Sequence, residues 1–390
     1  MRVSDRLTGI LGEGSDGWGV FYKARQMVEQ GIEVIELTIG EHDILTDEKI
    51  LSAMNRAALA GHTGYAAIPG INELRKAVAE RIAIRTGVET NEDNVLITPG
   101  GQAALFAAHV AACDPTDRAL FIDPYYATYP GTIRGASAVP VPIQTRASEG
   151  FQPDPEDIRA LATGAKSLLI NTPNNPTGVA YDEKTLQGLA SVCIEKDLWL
   201  ISDEVYDTQI WEGKHLSPRA LSGMRERTLV VGSMSKSHAM TGSRIGWLVG
   251  PNNVITHLQN LSTHTTYGVA GFIQHAAIHA LSLGEEFESQ ISEPFRRRRL
   301  LALDLLNEQT RLTTIPSKGG MYMMLDIRST GLSGEDFAMR LLEKHHIAVM
   351  PGESFGTAAS GHIRLALTVD DVRLSQALKT LVDFTNSFSA

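Results

Sequence analysis

The stretch Ser233-Met-Ser-Lys236-Ser-His-Ala-Met-Thr-Gly-Ser-Arg244 places one lysine among hydroxyl side chains, with an arginine eight residues further along the chain. A lysine amine condenses with an aldehyde to give an imine. The hydroxyls of Ser233 and Ser235 and the forked guanidinium of Arg244 suit the oxygens of a phosphate. The stretch therefore predicts a site for a ligand that carries both an aldehyde and a phosphate, and pyridoxal phosphate is such a cofactor.

Two polar segments upstream support this prediction. Asn171-Thr-Pro-Asn-Asn175-Pro-Thr-Gly178 and Ile201-Ser-Asp203-Glu-Val-Tyr206 each follow a short apolar run, which places polar side chains at the ends of buried strands, where open α/β sheets bind ligands. A carboxylate such as Asp203 keeps a pyridine nitrogen protonated, and Tyr206 and Asn175 are donors suited to a phenolate oxygen. An ordinary turn at Asn175 and a helix cap at Asp203 remain open as alternatives.

In this order, these segments resemble the class I/II aminotransferases of the aspartate aminotransferase superfamily, the fold-type I pyridoxal-phosphate enzymes. The likeness runs nearly end to end and implies an α/β fold, with a mostly parallel mixed sheet between helices in a large domain and a smaller α/β domain beside it. Further matching pieces are Gly64-Tyr65-Ala-Ala-Ile-Pro-Gly70-Ile-Asn-Glu-Leu-Arg75, Thr98-Pro-Gly-Gly101-Gln102-Ala-Ala-Leu105, Asp123-Pro-Tyr-Tyr126-Ala-Thr-Tyr129-Pro and Gly361-His-Ile-Arg364-Leu-Ala-Leu367.

The resemblance implies a role for each matching residue. Lys236 is the lysine that forms the Schiff base, Asp203 is the partner of the ring nitrogen, and Tyr126 stacks on the ring. The implied catalytic residues are Lys236, Asp203 and Tyr206. The implied cofactor-binding residues are Gly101, Gln102, Tyr126, Asn175, Asp203, Tyr206, Ser233, Ser235, Lys236, Arg244 and Tyr65. The implied substrate-binding residues are Gly40, Asn175, Arg364 and Trp18.

Two of these roles have wider consequences. Arg364 presents paired donors that match a planar carboxylate, so we expect it to bind the α-carboxylate of an amino acid. An arginine that only snorkels from a strand end is the alternative. By the resemblance, Tyr65 reaches the phosphate of the neighbouring subunit's cofactor, which implies a homodimer with shared active sites.

The chain departs from the family pattern after Gly40. The family usually shows a Pro-Asp-Phe type of turn there, whereas this chain has Glu41-His42-Asp43-Ile44-Leu45-Thr46-Asp47. Two single positions also differ. Ser243 stands where many relatives carry a tryptophan, and Tyr126 stands where aspartate-specific members of the family often carry a tryptophan. The segment after Gly40 usually borders the substrate, so these departures weaken inferences about specificity.

Composition restricts the class of protein. The chain has 390 residues, 43% of them hydrophobic, which suffices for a large core divided between two domains. A formal charge of −10 argues against nucleic-acid binding as the main activity. Its two cysteines, Cys113 and Cys193, do not form a disulfide framework. The N-terminus lacks an apolar segment of signal-peptide length, so we expect a cytoplasmic protein that neither enters a membrane nor binds nucleic acid.

Two charged features receive ordinary interpretations. His345 and His346 are neighbours at a predicted helix end and point to different sides, so no metal site is predicted. The run Arg296-Arg-Arg-Arg299 is interpreted as a solvated helix face.

Short apolar runs alternate with helical patterns from about residue 94 to 250, as a mostly parallel sheet between helices requires. The pattern then becomes helical to about residue 308 and returns to short strands afterwards. We predict a large cofactor-binding domain over residues 46–290 and a small domain formed by residues 1–45 and 291–390.

The predicted function is transfer of an amino group from an L-amino acid to a 2-oxo acid such as pyruvate or 2-oxoglutarate. Ile201–Tyr206, Ser235–Gly242 and Leu325–Ser333 are most similar to arginine:pyruvate transaminases, which implies an arginine donor. Glu13, Asp16, Glu41 and Asp43 are candidates for binding its cationic side chain. A lyase, decarboxylase or racemase of the same fold, an effector-sensing module and a Ser-x-x-Lys acylase with Ser233 as nucleophile are the alternatives.

Overall fold

The computed structural model describes residues 1–12, 17–307, 309 and 311–388. Its helices are α1 (Asp5–Thr8), α2 (Gly19–Glu29), α3 (Glu48–Leu59), α4 (Asn72–Thr86), α5 (Gly100–Ala112), α6 (Tyr129–Gly135), α7 (Pro155–Leu161), α8 (Glu183–Glu195), α9 (Met234–Ser237), α10 (Asn252–Thr263), α11 (Gly271–Ser282), α12 (Gly284–Leu306), α13 (Gly334–His345) and α14 (Asp371–Asn386). Its strands are β1 (Ile35–Leu37), β2 (Val95–Thr98), β3 (Arg118–Asp123), β4 (Val139–Gln144), β5 (Ala165–Asn171), β6 (Trp199–Asp203), β7 (Thr228–Ser233), β8 (Gly246–Val249), β9 (Thr313–Thr314), β10 (Tyr322–Asp326), β11 (Ile347–Pro351) and β12 (His362–Ala366).

Two sheets organise the chain. Seven strands in the order β2-β8-β7-β6-β5-β3-β4 form the larger sheet, in which β8 runs antiparallel to both of its neighbours and the remaining pairs are parallel. The smaller sheet has the order β1-β11-β12-β10-β9, with one parallel pair, β1 and β11. The α/β class and the mostly parallel mixed sheet are confirmed.

The larger sheet is covered on both faces because its central strands carry apolar side chains at successive positions. In β5, Leu168 and Ile170 pack in one cluster with residues of α7 and α8, while Leu169 packs on the other side with residues of α5 and α10. Strands buried on both faces are expected to be apolar throughout. The sheet therefore offers its strand ends, rather than its faces, to a ligand.

Several helices begin where a side chain caps them. Asp154, Asp182 and Ser333 accept hydrogen bonds from backbone N–H groups in the first turns of α7, α8 and α13, which satisfies donors that a helix leaves free at its start. Helices α7 and α8 therefore begin directly after Asp154 and Asp182.

The run Arg296–Arg299 contradicts its interpretation as a solvated face. Arg298 and Arg299 are 4% and 6% exposed. Arg298 pairs with Asp43 at 2.5 Å, and Arg299 pairs with Glu212 at 2.5 Å. Adjacent residues of a helix point in different directions, so a run of four arginines necessarily turns some of them toward the interior.

The predicted domain boundaries remain a prediction. All strands of the larger sheet lie within residues 46–290, and those of the smaller sheet lie outside them. Helix α12, however, continues without a break across the boundary predicted at residue 290. Within the described residues, no helix is long and apolar enough to span a membrane, and no group of histidine, cysteine and acidic residues is arranged to hold a metal ion. Cys113 and Cys193 are buried free thiols.

Candidate active site

A cavity of about 300 Å³ lies at the carboxyl ends of β5, β6 and β7. Asn171, Asp203 and Ser233 are the last residues of these three parallel strands, and all three line the cavity. Strand ends of an open parallel sheet meet at one edge, which is where such sheets bind ligands. The further lining residues are Trp18, Ile39, Gly40, Glu41, Gly101, Gln102, Leu105, Tyr126, Tyr129, Asn175, Val205, Tyr206, Ser235, Lys236, Thr241, Arg244, Tyr322 and Arg364.

Lys236 projects into this cavity from the short helix α9. Ser233 caps this helix, since its hydroxyl accepts a hydrogen bond from the N–H of Ser235 at 3.1 Å. The Lys236 amine donates to the carbonyl oxygen of Gly40. Burial lowers the pKa of Lys236, because the ammonium form loses water of hydration. A larger fraction of neutral amine makes this lysine a better nucleophile and a better base.

Asp203 is a buried carboxylate with one strong partner. The Tyr129 hydroxyl donates to its Oδ2 at 2.7 Å, and the Val205 N–H donates to its Oδ1 at 3.3 Å. Burial raises the pKa of Asp203 to about 6. Asn171 fixes the backbone here, since its Nδ2 donates to the carbonyl of Asp203 at 2.9 Å. The carboxylate therefore suits a cationic ligand group that would stabilise its charged form.

The start of helix α5 also lines the cavity, through Gly101 and Gln102. Gly100 has a φ of +79°, and a Cβ there would lie 2.4 Å from a guanidinium nitrogen of Arg244, so only glycine allows this approach. The free N–H groups at a helix start bind anions. Ser233, Ser235 and Arg244 line the cavity beside this helix start, so this corner is suited to a phosphate.

Gln102 contributes to this corner differently from a side-chain ligand. Its Nε2 donates to the Thr132 hydroxyl at 2.6 Å, and its Oε1 accepts from the Thr128 hydroxyl at 3.0 Å. Its amide is thus committed to helix α6, and what Gln102 offers to a ligand is its backbone N–H.

Arg364 rises from the middle of β12 and is 3% exposed. Its Nη1 donates to Asn175 Oδ1 at 2.9 Å, and its Nη2 donates to the carbonyl of Thr38. The guanidinium carbon lies 4.5 Å from the ring centre of Tyr322 and 4.3 Å from that of Phe355. Within the described residues, Nε has no hydrogen-bond partner and no carboxylate pairs with this arginine. A buried cation without an anion is costly, so the site favours an anionic ligand here.

Tyr206 contacts Tyr322, the same tyrosine against which Arg364 packs. Its hydroxyl donates to that of Tyr322 at 3.2 Å, and the N–H of Asn175 donates to Asn171 Oδ1 at 2.8 Å. Burial raises the pKa of Tyr206 well above its ordinary value. The phenol therefore remains a neutral hydrogen-bond donor.

Of the residues to which the resemblance assigned a role, Tyr65 is the one that lies away from the cavity. Its side chain is 92% exposed, and its ring packs edge-on against Tyr267 with the centroids 5.1 Å apart. His238 is buried beside Glu288 at 3.9 Å and does not line the cavity. Among the candidate carboxylates, Glu41 lines the cavity, Asp43 is paired with Arg298, and Glu13 and Asp16 lie outside the described residues.

Sequence reasoning assigned no role to Tyr129, Tyr322 or Asn171, which contact the predicted residues directly. Asn171 lies in the quoted polar segment, and Tyr129 follows Tyr126 by three residues, so both carried a local signal. Tyr322 carried none: it reaches the cavity because β10 pairs with β12, and that pairing is a long-range feature.

Three comparisons place the chain among known proteins. Residues 32–381 match the family model described as aminotransferase class I and II. An arginine–pyruvate transaminase of Pseudomonas aeruginosa, AruH, is 40% identical over 382 residues, which cover 98% of this chain and 97% of that relative. An aspartate/prephenate aminotransferase of Thermus thermophilus is 38% identical over 361 residues, which cover 92% of each chain. The solved structure of the Thermus thermophilus aspartate aminotransferase with maleate has a TM-score of 0.92 at 36% identity, covering 98% of this chain and all of that one.

Proposed function

The chain belongs to the class I and II aminotransferases, and from this premise we propose that it uses pyridoxal phosphate, bound at Lys236, to move an amino group from an L-amino acid to a 2-oxo acid. It is a transaminase by family. The single observation that carries the proposal for the site is that three buried groups line one cavity: a lysine, a carboxylate and an arginine that pairs with no anion in the part of the chain that the structure describes.

The residues of the cavity fit pyridoxal phosphate. The corner formed by the start of α5, Ser233, Ser235 and Arg244 would hold the phosphate, and Lys236 would bind the aldehyde end. Asp203 would face the ring nitrogen. Burial raises its pKa, which means that its charged form is poorly stabilised by the protein alone, and a protonated ring nitrogen would stabilise that form. We assign the ring's hydroxyl to Tyr206 and Asn175 and its face to Tyr126. When bound, the cofactor supplies an aldehyde that condenses with amines and a ring that accepts electrons from the substrate's Cα.

Lys236 would then act as the base. Its lowered pKa makes the neutral amine more available to take the proton from the substrate's Cα and to deliver a proton later in the reaction. Gly40, whose carbonyl holds the amine, has no space for a side chain, since a Cβ there would lie 1.7 Å from the Tyr322 hydroxyl oxygen. The backbone at Gly40 can therefore approach the lysine and the substrate closely.

Arg364 and Asn175 would fix the substrate's orientation. A carboxylate that pairs with Arg364 would satisfy the buried cation, and Asn175 already bonds to Nη1. Holding the carboxylate fixes the direction of the bonds at Cα, and this orientation decides which bond breaks. The same pairing applies to the 2-oxo acid, which carries a carboxylate in the same position.

We infer arginine as the amino donor and pyruvate as an acceptor. The relative AruH is named for this pair, and Glu41 provides a carboxylate on the cavity wall for a cationic side chain. Aspartate is the competing donor, since relatives at 38% and 33% identity are named for it. Trp18 also lines the cavity and is a candidate for packing against the aliphatic part of the donor.

Two further features belong to the proposal. We propose that the enzyme is a homodimer in which Tyr65 reaches the partner's site, as the exposure of this aromatic side chain supports. We place it in the cytoplasm, where buried cysteines such as Cys113 and Cys193 remain thiols.

A visible absorption experiment tests the function. The purified protein is loaded with pyridoxal phosphate, and its spectrum is recorded before and after adding arginine, aspartate, alanine or phenylalanine, with the released 2-oxo acid measured in parallel. We expect arginine to change the spectrum and to release its oxo acid. Lys236→Ala should bind the cofactor without the covalent bond that borohydride traps, and its turnover should fall at least about a hundredfold, the lower range for a lost acid–base group. Full activity in this variant would contradict the mechanism.

A further inference from the structure

The segment between β1 and α3 lies across the helix that carries Lys236. We call residues 38–46 the strap. Hydrogen bonds join it to residues 236–241, which we call the lysine segment. The Lys236 amine donates to the Gly40 carbonyl, and His42 bonds through Nε2 to the Lys236 carbonyl at 3.0 Å. The Thr46 hydroxyl donates to the Ala239 carbonyl at 2.6 Å, and the Thr241 hydroxyl donates to Glu41 Oε1 at 3.3 Å. Lys236 is thus held by the strap at both its side chain and its backbone.

The chemistry of this contact fixes the state of the His42 ring. A carbonyl oxygen only accepts hydrogen bonds, so Nε2 must carry the proton. Burial and the nearby Lys236 lower the pKa of His42 to about 4. The ring is therefore neutral at neutral pH, with its Nδ1 deprotonated and, among the described residues, without a partner. Neutrality matters here, because a cationic ring would repel the lysine's ammonium form.

The surroundings of His42 keep it in this role. Its ring packs edge-on against Phe295 of α12 with the centroids 5.2 Å apart. Its neighbour Asp43 forms a paired contact with Arg298, also on α12, at 2.9 and 2.5 Å. The charges nearest to the ring are therefore Lys236, Asp43 and Arg298, and the last two neutralise one another. Helix α12 thus supports the strap from behind while His42 contacts the lysine.

We propose that His42 is a positioning residue that holds the backbone of Lys236 and thereby keeps the lysine amine at its buried place in the cavity. The proposal rests on the proposed function in taking Lys236 as the reacting lysine. His42 and Thr46 do not line the cavity, so His42 acts through Lys236 rather than on a substrate. This assigns a function to the part of the chain that departs most from the family's usual turn.

A purely structural staple is the competing explanation, and the strap contains a matched control for it. Thr46 also ties the strap to the lysine segment through a backbone carbonyl, but three residues beyond Lys236. Thr46→Val removes that bond and retains the shape. If His42 only fastens the strap, losing either bond should have the same effect on Lys236.

The experiment measures the Lys236 amine directly in the cofactor-free protein. Each variant reacts with pyridoxal, which lacks the phosphate and so does not depend on the phosphate corner, and borohydride traps the adduct for mass spectrometry between pH 6 and 10. His42→Gln keeps a donor, whereas His42→Phe keeps the ring contact with Phe295 and removes the donor. His42→Met, which adapts to irregular apolar space, replaces the phenylalanine variant if that protein does not fold.

We expect the donor-free variants to react about tenfold more slowly than the parent at neutral pH, the effect of one lost hydrogen bond of ordinary strength. Their rate profile should also shift to higher pH, because an amine released toward water regains its ordinary pKa. His42→Gln and Thr46→Val should match the parent. The charged and phenolic groups that face the amine are unchanged in all variants; they are Tyr322, Glu41, Arg364 and Arg244.

Two results would overturn the proposal: donor-free variants with the parent's rate and pH profile, or an equal shift in Thr46→Val. Neither result would contradict the proposed function. That function fails separately if borohydride traps pyridoxal on other lysines and not on Lys236, or if Lys236→Ala retains full transaminase activity.

Discussion

At the scale of single residues, Asp203 and Arg364 are buried ionisable groups of the cavity whose charges have no opposite partner within the described residues. Asp203 has a hydroxyl partner, Tyr129, and Arg364 has amide and carbonyl partners, Asn175 and Thr38. Each charge is costly in this state, and a ligand of the opposite charge would remove that cost. The two groups thus favour a ligand that brings a cation to one end of the cavity and a carboxylate to the other.

Asp203 predicts a pH dependence of stability in the cofactor-free protein. Because the pKa of this carboxyl is raised from 3.8 to about 6, the folded state holds a proton between pH 4 and 6 that the unfolded state has lost. Stability that depends on this group therefore increases as pH falls through that window. Relative to Asp203→Asn, which is neutral throughout, the parent should gain about 2.4 kcal/mol between pH 7 and pH 4.

Urea unfolding of both proteins at several pH values measures this difference. Other groups, such as Asp123, whose pKa burial also raises to about 6, titrate in both proteins and cancel in the comparison. A difference that stays constant with pH would mean that Asp203 is ionised in the folded protein with an ordinary pKa.

Sequence and structure agree best for residues with a local signal. Lys236, Asp203, Asn175 and Arg364 stand in recognisable segments, and the fold brings all four to one cavity. The contact of His42 with Lys236 links residues 194 positions apart. No short segment contains such information, because it depends on how the strap crosses the lysine helix.

At the scale of elements, the strands were predictable because their apolar runs are short and bounded. The helices were predictable where an acid or serine caps them, as Asp182 does for α8. The surroundings of α12 could not be predicted, because the sequence does not show which face of a charged helix packs against the rest of the protein. Arg298 pairs with Asp43 of the strap and Arg299 pairs with Glu212, both of which are distant in sequence.

Glu288 of helix α12 belongs to a buried cluster of charged side chains that do not line the cavity. Arg81 of α4 pairs with Glu288 at 3.0 Å and with Asp207 at 2.6 Å, and Arg85 contacts both carboxylates as well. Asp207 follows Tyr206 directly in the chain, so this cluster fixes the segment that carries Tyr206. Two cations and two anions balance within it.

Removing one carboxylate from this cluster should destabilise the protein. Glu288→Gln would leave two arginines facing one carboxylate, and breaking a buried pair in this way typically costs about 3 to 5 kcal/mol. Glu286→Gln, an exposed position on the same helix, should change stability by less than about 0.5 kcal/mol. Urea unfolding at one fixed protein concentration measures both values. Equal midpoints for the two variants would show that the cluster adds nothing to stability.

At the scale of the whole molecule, two sheets meet around one cavity, and each supplies part of the site. Lys236 and Asp203 come from the larger sheet and its connections, while Arg364 comes from the smaller one. Motif order and the resemblance predicted this architecture. The position of Tyr65 could not be tested in the same way, because the role predicted for it involves a second copy of the chain.

Mixed dimers provide that test. If Tyr65 reaches the partner's site, each active site contains Lys236 from one subunit and Tyr65 from the other. Lys236→Ala then damages the site of its own subunit, whereas Tyr65→Ala damages the site of the partner subunit. In a dimer of one subunit of each kind, one of the two sites combines an intact Lys236 with an intact Tyr65 of the partner subunit. Random exchange makes about half of the dimers mixed, so an equimolar mixture should regain about a quarter of the parent's active sites.

The measurement compares transaminase activity of each variant alone with that of the mixture after unfolding and refolding together, with sedimentation to establish the dimer. As a control for activity gained by refolding alone, Thr46→Val is mixed with Lys236→Ala in the same way, and this mixture should show only the mean activity of its two components. If Tyr65 instead served its own subunit, no mixed dimer would contain a complete site, and the mixture would show only the mean of its two components. Recovery above that mean therefore requires that each site is built from two chains, which the exposed Tyr65 side chain on a single chain leads us to expect.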